Sequence, residues 1–355
     1  MNTSLNSTLT PQKRRTRAIV MLIASYALSI INILIDKASA LAGKSSLTYD
    51  PSMLYAVTFT VGAMLLSCAI ATLALDTRHA FWTVPLISAL AVGGTYAALG
   101  ASPADILIAL IFIPSATVIA ACLFRGCEKF HTVAANAVVL AAAFILSALL
   151  SHYGTFGELS EISVGYTVSA FRESFLEFYQ NNDYSSFGLT LANLHEVFNT
   201  FLLLIPSLLC ALVAVLSYIE VTLSRAILLG QGASSEAIAH WPFKLSRLAS
   251  FVFLGASIMT MLSVSLENET LMIITTNLMI VFIPGFFLVG IRSSLMHFKR
   301  PGLFGMIFGA LAIFACIQNP ALLFILVASV GAIDNLFAVY RESLYGEQGK
   351  TKNKD

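Results

Sequence analysis

Long, nearly uninterrupted apolar runs constrain this chain more than any other feature of its sequence. A helix needs about 20 mostly apolar residues to cross the hydrocarbon core of a bilayer. Because lipid offers the backbone no hydrogen-bond partners, such runs are expected to be helical. Ten runs reach or approach this length: residues 18–35, 53–75, 80–100, 104–124, 131–151, 197–222, 248–266, 270–291, 302–318 and 321–340. The sequence therefore predicts an all-α fold, a polytopic transmembrane helix bundle of about ten spans.

Composition and charge support this class. Apolar residues make up 57% of the 355 residues and charged residues 11%, whereas a soluble domain carries roughly 25% charged residues. Positive residues concentrate in cytoplasmic loops. With the N-terminus inside and ten alternating spans, only Lys37, Lys44 and Arg172 of the 20 Lys and Arg residues fall outside. This split favours cytoplasmic termini and leaves no basic surface for nucleic acid.

The spans divide the chain into two halves around one long loop. The predicted segments are a cytoplasmic tail (1–17), a five-span half (18–151), an extracytoplasmic loop (152–195), a second five-span half (196–341) and a cytoplasmic tail (342–355). Within the loop, "YTVSAFRESFLEFYQ" places apolar residues at helical spacing, namely Val168, Phe171, Phe175 and Phe178. This spacing predicts an amphipathic helix. The helix either packs on the bundle or covers an outward-facing cavity as a lid.

A second loop, residues 225–247, is predicted to be cytoplasmic. Its "HWPFKLSR" stretch contains Trp241, Lys244 and Arg247. An interfacial aromatic residue and the positive-inside rule account for these three residues. They are also the candidate docking residues for a partner protein.

Polar residues inside the spans are the first place to look for a functional site. The spans contain Asn32, Asn136, Glu220, Asn277, Gln318 and Asp334. An acidic residue at the centre of a span costs roughly 2.5–3.5 kcal/mol on insertion scales. Asp334 is expected to face the bundle and to meet a partner from another span. Neutral amides such as Asn277 and Asn136 commonly hydrogen-bond across helices.

Proline and glycine mark two further features of the spans. In "FIPGFF", Pro284 is followed by Gly285, and this pair either breaks the helix, as in many transporter binding sites, or kinks it without function. The candidate ligand-binding set is Asp334, Asn277, Pro284 and Gly285. Gly305 and Gly309 form a GxxxG pattern in "GMIFG", which is typical of close helix packing.

No catalytic motif is found in the sequence. "HEVFN", residues 195–199, has Asn199 where a zinc-binding HExxH motif needs its second His. GxSxG, phosphate-loop and GxGxxG motifs are absent. The sequence thus predicts no catalytic residue, no metal ligand and no cofactor, and a protein that is not an enzyme.

The last span and three other stretches carry a family resemblance. "GAIDNLFAVYRE", with Gly331, Asp334, Phe337 and Arg341, resembles the end of the YybS-like family of bacterial multi-pass membrane proteins, which is typical of Gram-positive bacteria. "LLLIPSLL", "WPFKLSR" and "PGFFLVGI" are similar to other parts of that family. The resemblance implies a multi-pass protein of the bacterial cell membrane, with no established activity.

The same resemblance implies a remote likeness in fold to the S components of energy-coupling-factor vitamin transporters and to MreD-type envelope proteins. An S component generally has AxxxA in its first span, whereas this chain has Ala24 and Ala27, with Ser25 and Ser29 four residues apart. Two functions follow as hypotheses: small-molecule binding or transport, and a non-catalytic scaffold in envelope assembly or division. The expected partners are the lipid bilayer and either a small-molecule ligand or another membrane protein.

Overall fold

The computed structural model describes residues 6–7, 9–41, 51–101, 103–157, 159–181, 191–230, 233–234, 245–298 and 324–337. These residues form eleven helices: α1 (Pro11–Leu41), α2 (Pro51–Ala74), α3 (Ala80–Ala98), α4 (Pro103–Leu110), α5 (Phe112–Arg125), α6 (Lys129–Phe156), α7 (Glu161–Asn181), α8 (Leu191–Gly230), α9 (Arg247–Ser265), α10 (Glu269–Phe298) and α11 (Phe324–Phe337). Within the same residues, extended structure is limited to a two-residue antiparallel pair, β1 (Asn6–Ser7) with β2 (Ala233–Ser234). The predicted all-α fold class is confirmed.

The helices follow the apolar runs closely. In the described part of the chain, seven stretches are long and apolar enough to cross a membrane: Val57–Ala74, Ala80–Ala98, Asp105–Arg125, Lys129–Gly154, Glu196–Gly230, Arg247–Ser265 and Glu269–Ser294. The predicted runs 18–35 and 321–340 coincide with α1 and α11, and the run 302–318 lies outside the described residues. The count of ten spans and the orientation stay predictions.

Proline coincides with a break in the helices at Pro114 and not at Pro284. The chain is helical throughout α10, across Pro284 and Gly285, which agrees with the second alternative for this pair, a helix that is not broken. Pro114 instead follows a break between α4 and α5 at Ile111. A proline lacks the N–H that would bond the carbonyl four residues back, and its ring crowds that carbonyl. For Pro114 this carbonyl belongs to Leu110, the residue at which α4 ends.

The helix predicted in the long loop is present as α7 and is longer than its apolar stripe. Ser160 and Ser163 form a reciprocal cap at its start: Ser163 N–H donates to Ser160 Oγ (3.2 Å) and Ser160 N–H to Ser163 Oγ (3.0 Å). Further along α7, Phe175 packs on Phe198 and Phe201 of α8, with ring centroids 5.3 and 6.0 Å apart. These contacts agree with a packing helix, and the lid stays a prediction.

The contacts group the chain into two compact units: residues 1–167 with 215–242, and residues 168–214 with 243–355. This grouping differs from the two predicted five-span halves, which stay a prediction. Helix α8 contributes its first part to the second unit and its last part to the first unit.

Helix α2 lies at the centre of the first unit. Its buried residues include Leu66, Cys68 and Ile70, each fully inaccessible to solvent, as expected for a helix that is apolar on every face. Ser25 on α1 donates its hydroxyl to the carbonyl of Gly62 on α2 at 2.9 Å. At the end of α2, Asp76 accepts hydrogen bonds from Arg14 (2.6 Å) and Arg15 (3.0 Å). These bonds join the middle of the α1–α2 pair and the end at which α1 begins and α2 terminates.

The second unit is built on α9, α10 and α11. Its core contains Phe253, Phe286, Met279, Ala328 and Ala332. Helices α10 and α11 meet at Gly290 and Gly331, where a side chain on either glycine would overlap backbone atoms of the other helix. A methyl group on Gly331 would lie only 2.6 Å from Gly290 N. Small residues permit such close backbone approach between membrane helices.

Gly331→Ala tests this crossing. The added methyl group has no space, and overpacking of this kind costs about 1–3 kcal/mol, so we expect a lower free energy of unfolding for the variant in mild detergent. Gly255→Ala on α9 is the matched control, because nothing lies within 4 Å of its added Cβ. Alanine is the better helix former, so the control should be neutral or gain up to about 1 kcal/mol. Equal unfolding free energies for the two variants would contradict the close crossing.

Candidate functional site

One face of α8 brings buried polar side chains to the interior of the first unit. Ser217, Glu220 and Ser224 are each completely inaccessible to solvent. Their spacing of three and four residues places them on one side of the helix. The same face also buries Val221 and Leu228, so the polar residues are enclosed in an apolar surrounding.

Glu220 is bonded to two other helices through a single oxygen. Its Oε2 accepts a hydrogen bond from Ser115 Oγ on α5 and another from Asn136 Nδ2 on α6, both at 2.8 Å. Both donors are also fully inaccessible to solvent. The other carboxylate oxygen, Glu220 Oε1, and the amide oxygen, Asn136 Oδ1, are buried and have no hydrogen-bond partner within the described residues. Three helices therefore enclose Glu220 and Asn136, and each of these side chains has one acceptor oxygen with no donor among the described residues.

Further bonds hold α8 against α2 and α6 on both sides of Glu220. The hydroxyls of Ser224 and Ser67 are 2.8 Å apart, and Ser217 Oγ donates to the carbonyl of Val133 at 2.7 Å. Lys129 Nζ donates to the Tyr218 hydroxyl at 3.1 Å and lies 4.2 Å from the centre of that ring. The Glu220 cluster, meaning Glu220, Ser115 and Asn136, thus lies within a continuous seam of polar contacts.

Sequence reasoning identified Glu220 and Asn136 as polar residues in spans but did not bring them together. The apolar run 197–222 placed Glu220 at the end of its span. Helix α8 has 40 residues and continues for ten more after Glu220, which is about 15 Å at 1.5 Å per residue. Glu220 is therefore well inside the helix. The signal that was available is the spacing of Ser217, Glu220 and Ser224 in an otherwise apolar run.

Asn277 and Asn335 serve as clasps between helices. Asn277 Nδ2 donates to the carbonyl of Leu203 on α8 at 3.2 Å and to that of Ile273 in its own helix at 2.9 Å. Asn335 is buried, and its Nδ2 donates to the carbonyl of Leu245 and to Ser250 Oγ, both at 3.0 Å. The bond from Asn277 to Leu203 agrees with the hydrogen bond across helices that is common for neutral amides in spans. The bonds of Asn335 tie α11 to the start of α9.

Asp334 is half-buried, next to the buried Asn335. Successive helical residues are separated by about 100°, so the two side chains take different directions. Gly331, one turn before Asp334, crosses α10 between Phe286 and Gly290. Asn277 lies nine residues before Phe286, about 14 Å along the helix. Asn277 bonds the carbonyls of Leu203 and Ile273, and a site shared by Asp334 and Asn277 stays a prediction.

The remaining candidate residues differ in how they are placed. A Cβ on Gly285 would lie 3.1 Å from Leu245 Cδ1, so a side chain already occupies the space beside the half-buried Pro284–Gly285 pair. Arg247 is exposed at the first residue of α9. The other predicted docking and packing residues lie outside the described part of the chain: Trp241, Lys244, Gly305 and Gly309.

A small apolar cavity of about 170 Å³ lies in the first unit. Its lining comes from α1, α3 and α5 and includes Tyr26, Ser88, Val92 and Phe112. Ser88 Oγ is buried there without a hydrogen-bond partner in the described residues. Ligand pockets for drug-sized molecules measure about 300–1,000 Å³, so this cavity fits only a small group. Across the described residues, no three His, Cys, Asp or Glu side chains cluster as a metal site would require.

Ser115→Ala tests the bonding of the Glu220 cluster. Removing one of two donors to a buried carboxylate oxygen leaves that oxygen less satisfied, which costs about 1–3 kcal/mol. Thr117→Val is the matched control on α5, because its hydroxyl bonds only the carbonyl of Ile113 in the same helix. We expect Ser115→Ala to lower the free energy of unfolding more than the control does. The cost should shrink in a Glu220→Gln background, since coupled residues are not additive.

Comparison with known proteins gives one match. Residues 52–335 match the family described as "Predicted membrane protein (DUF2232)". No curated protein and no solved structure matches the chain. The matched segment contains all three residues of the Glu220 cluster and continues to Asn335, so both polar arrangements are within it. Since the match covers most of the chain, the protein belongs to the DUF2232 family of predicted membrane proteins.

Proposed function

We propose that the protein binds or transports a small molecule in the bacterial cell membrane, and that Glu220 is the group on which this activity depends. The observation that supports the proposal is the complete burial of Glu220 between α5, α6 and α8 with one oxygen unpartnered. An ionisable residue inside a span is costly, and those that occur mark substrate or ion pathways.

The bonding of Glu220 differs from that of a structural clasp. Asn335 joins two helices with a neutral amide that donates to a carbonyl and a hydroxyl. A neutral residue would serve equally well at position 220 if helix packing were its only role, because a buried charge is weak support for stability. Glu220 instead has both donors on Oε2 and, among the described residues, none on Oε1. Buried polar atoms without partners are uncommon and call for an explanation such as a binding role.

Two other features bear on the proposal. Phe112, which lines the small cavity, lies one turn before Ser115 on α5, so a cavity wall and the Glu220 cluster share a helix. The resemblance to the YybS-like family and to S components of vitamin transporters is compatible with small-molecule binding and remains part of the proposal. The scaffold hypothesis depends on the loop 225–247 and on the Gly305/Gly309 face. Arg247 in that loop is exposed, whereas Trp241, Lys244, Gly305 and Gly309 lie outside the described ranges.

Glu220→Gln is the direct test. The variant keeps the size and the hydrogen-bonding capacity of the side chain but removes its acidity. We expect it to insert and fold, to lose at least tenfold in occupancy of a co-purified small molecule in native mass spectrometry, and to fail to complement a deletion strain. Glu196→Gln, an exposed position on the same helix, is the matched control and should behave like the parent.

Asp334→Asn separates this site from the one expected from the sequence. Because Asp334 is only half-buried and lies in the other unit, we expect the variant to retain the ligand. Loss of the ligand in Asp334→Asn but not in Glu220→Gln would move the site to α11. Full activity in both variants, together with a co-purifying protein and no small molecule, would support the scaffold instead.

A further inference from the structure

The Glu220 cluster lacks one hydrogen-bond donor. An ionised carboxylate only accepts hydrogen bonds, and an amide has two donors and one acceptor oxygen. The hydroxyl of Ser115 and the Nδ2 of Asn136 both donate to Glu220 Oε2. Glu220 Oε1 and Asn136 Oδ1 are then two buried acceptors with nothing to donate to them among the described residues. Rotating the amide does not help, because it would replace the Asn136 donor at Oε2 with a second acceptor.

One proton removes both deficits. A proton on Oε1 turns the carboxylate into a carboxylic acid with an O–H donor, and Asn136 Oδ1 is an acceptor on the side chain already bonded to the same carboxyl group. An acid and an amide that pair in this way each donate once and accept once. A buried group that is fully satisfied no longer carries the desolvation cost of an unmade bond.

A metal cation fits the same atoms less well. Calcium takes six to eight oxygen ligands and magnesium requires a near-ideal octahedron. The cluster offers two unfilled side-chain oxygens, and Glu220 is its only acid. The helices around Glu220 carry several other described side chains that titrate or are charged. These are Cys68 on α2, Cys122 and Arg125 on α5, Lys129, His131, His152 and Tyr153 on α6, and, within two turns of Glu220, Tyr218 and Arg225 on α8. None of them is a second carboxylate that would share a metal.

We propose that Glu220 and Asn136 form a proton-binding site, with the proton on Glu220 Oε1 donated to Asn136 Oδ1, and that this proton is the coupling ion of the binding or transport activity proposed above. Binding of the proton forms the Oε1–H bond and neutralises the carboxylate, and its release restores the charge. The coupling role rests on the proposed function, whereas the proton site itself does not.

Infrared spectroscopy of the full-length protein in lipid bilayers tests the proton site without any ligand. Labelling the glutamates with ¹³C identifies the carbonyl stretch of a protonated glutamic acid, which is separate from the carboxylate band. We expect such a band near neutral pH in the parent and in Glu196→Gln, and its loss in Glu220→Gln. In Asn136→Leu the band should shift to higher frequency, because the acid loses its acceptor. Replacing potassium with sodium should change nothing.

The outcomes separate this inference from the proposed function. If the acid band is absent, or if sodium abolishes it, the proton site is wrong. The proposed function is then tested separately by whether Glu220→Gln loses the ligand. If the band is present but Glu220→Gln keeps its ligand, the proton serves structure only and the coupling role is wrong. If the band is present and the ligand is lost, the small molecule identified by native mass spectrometry is added back to a weakly buffered sample. Its addition should change the bulk pH with the parent protein and leave it unchanged with Glu220→Gln.

Discussion

The absence of hydrogen-bond partners in lipid is the constraint on which this structure depends. Every polar group in a span must find its partner inside the protein. The hydroxyls of Thr117 and Ser257 bond carbonyls four residues back in their own helices, which satisfies them without a neighbouring helix. Ser25 and Ser217 instead bond carbonyls of other helices. The same constraint that makes the spans helical thus also selects which helices are tied together.

Glu220 follows this rule only in part, because one of its two carboxylate oxygens has no donor among the described residues. Ser217 and Ser224, on the same face of α8, both have partners, whereas the buried Thr222 Oγ1 between them has none among the described residues. Ser115 and Asn136 direct both of their donors to one carboxylate oxygen. One oxygen of Glu220 therefore has two donors and the other has none among the described residues, and the proposed proton site rests on this asymmetry.

The sequence predicted the class and the positions of the helices well, because both follow from long apolar runs and do not depend on how the side chains pack. Apolar runs mark where α2, α3 and α9 begin and end to within two residues. The rest depended on which way each helix is turned. Asn335 rather than Asp334 is the buried member of its pair, and Pro114 rather than Pro284 coincides with a break. Rotation and tilt are set by neighbouring helices, so no period in a single span reveals them.

The extent of an apolar run is also a poor guide to the extent of its helix. Helix α8 has 40 residues, about 60 Å at 1.5 Å per residue, whereas the hydrocarbon core is about 30 Å thick. A residue at the end of the run can therefore lie within the helix and within the protein, as Glu220 does. Judged from its depth in the predicted span, Asp334 was therefore a stronger candidate for a functional site than Glu220.

The glycine crossing of the second unit and the polar seam around Glu220 in the first unit would respond differently to a change of charge. At Gly290 and Gly331 the backbones of α10 and α11 are in contact, and packed interfaces of this kind do not deform continuously. In the first unit α8 is held by hydroxyls, an amide and a carboxylate. A hydroxyl can rotate and exchange one acceptor for another. A charge appearing on Glu220 would therefore meet groups that can reorient around it, whereas the glycine crossing has no such freedom.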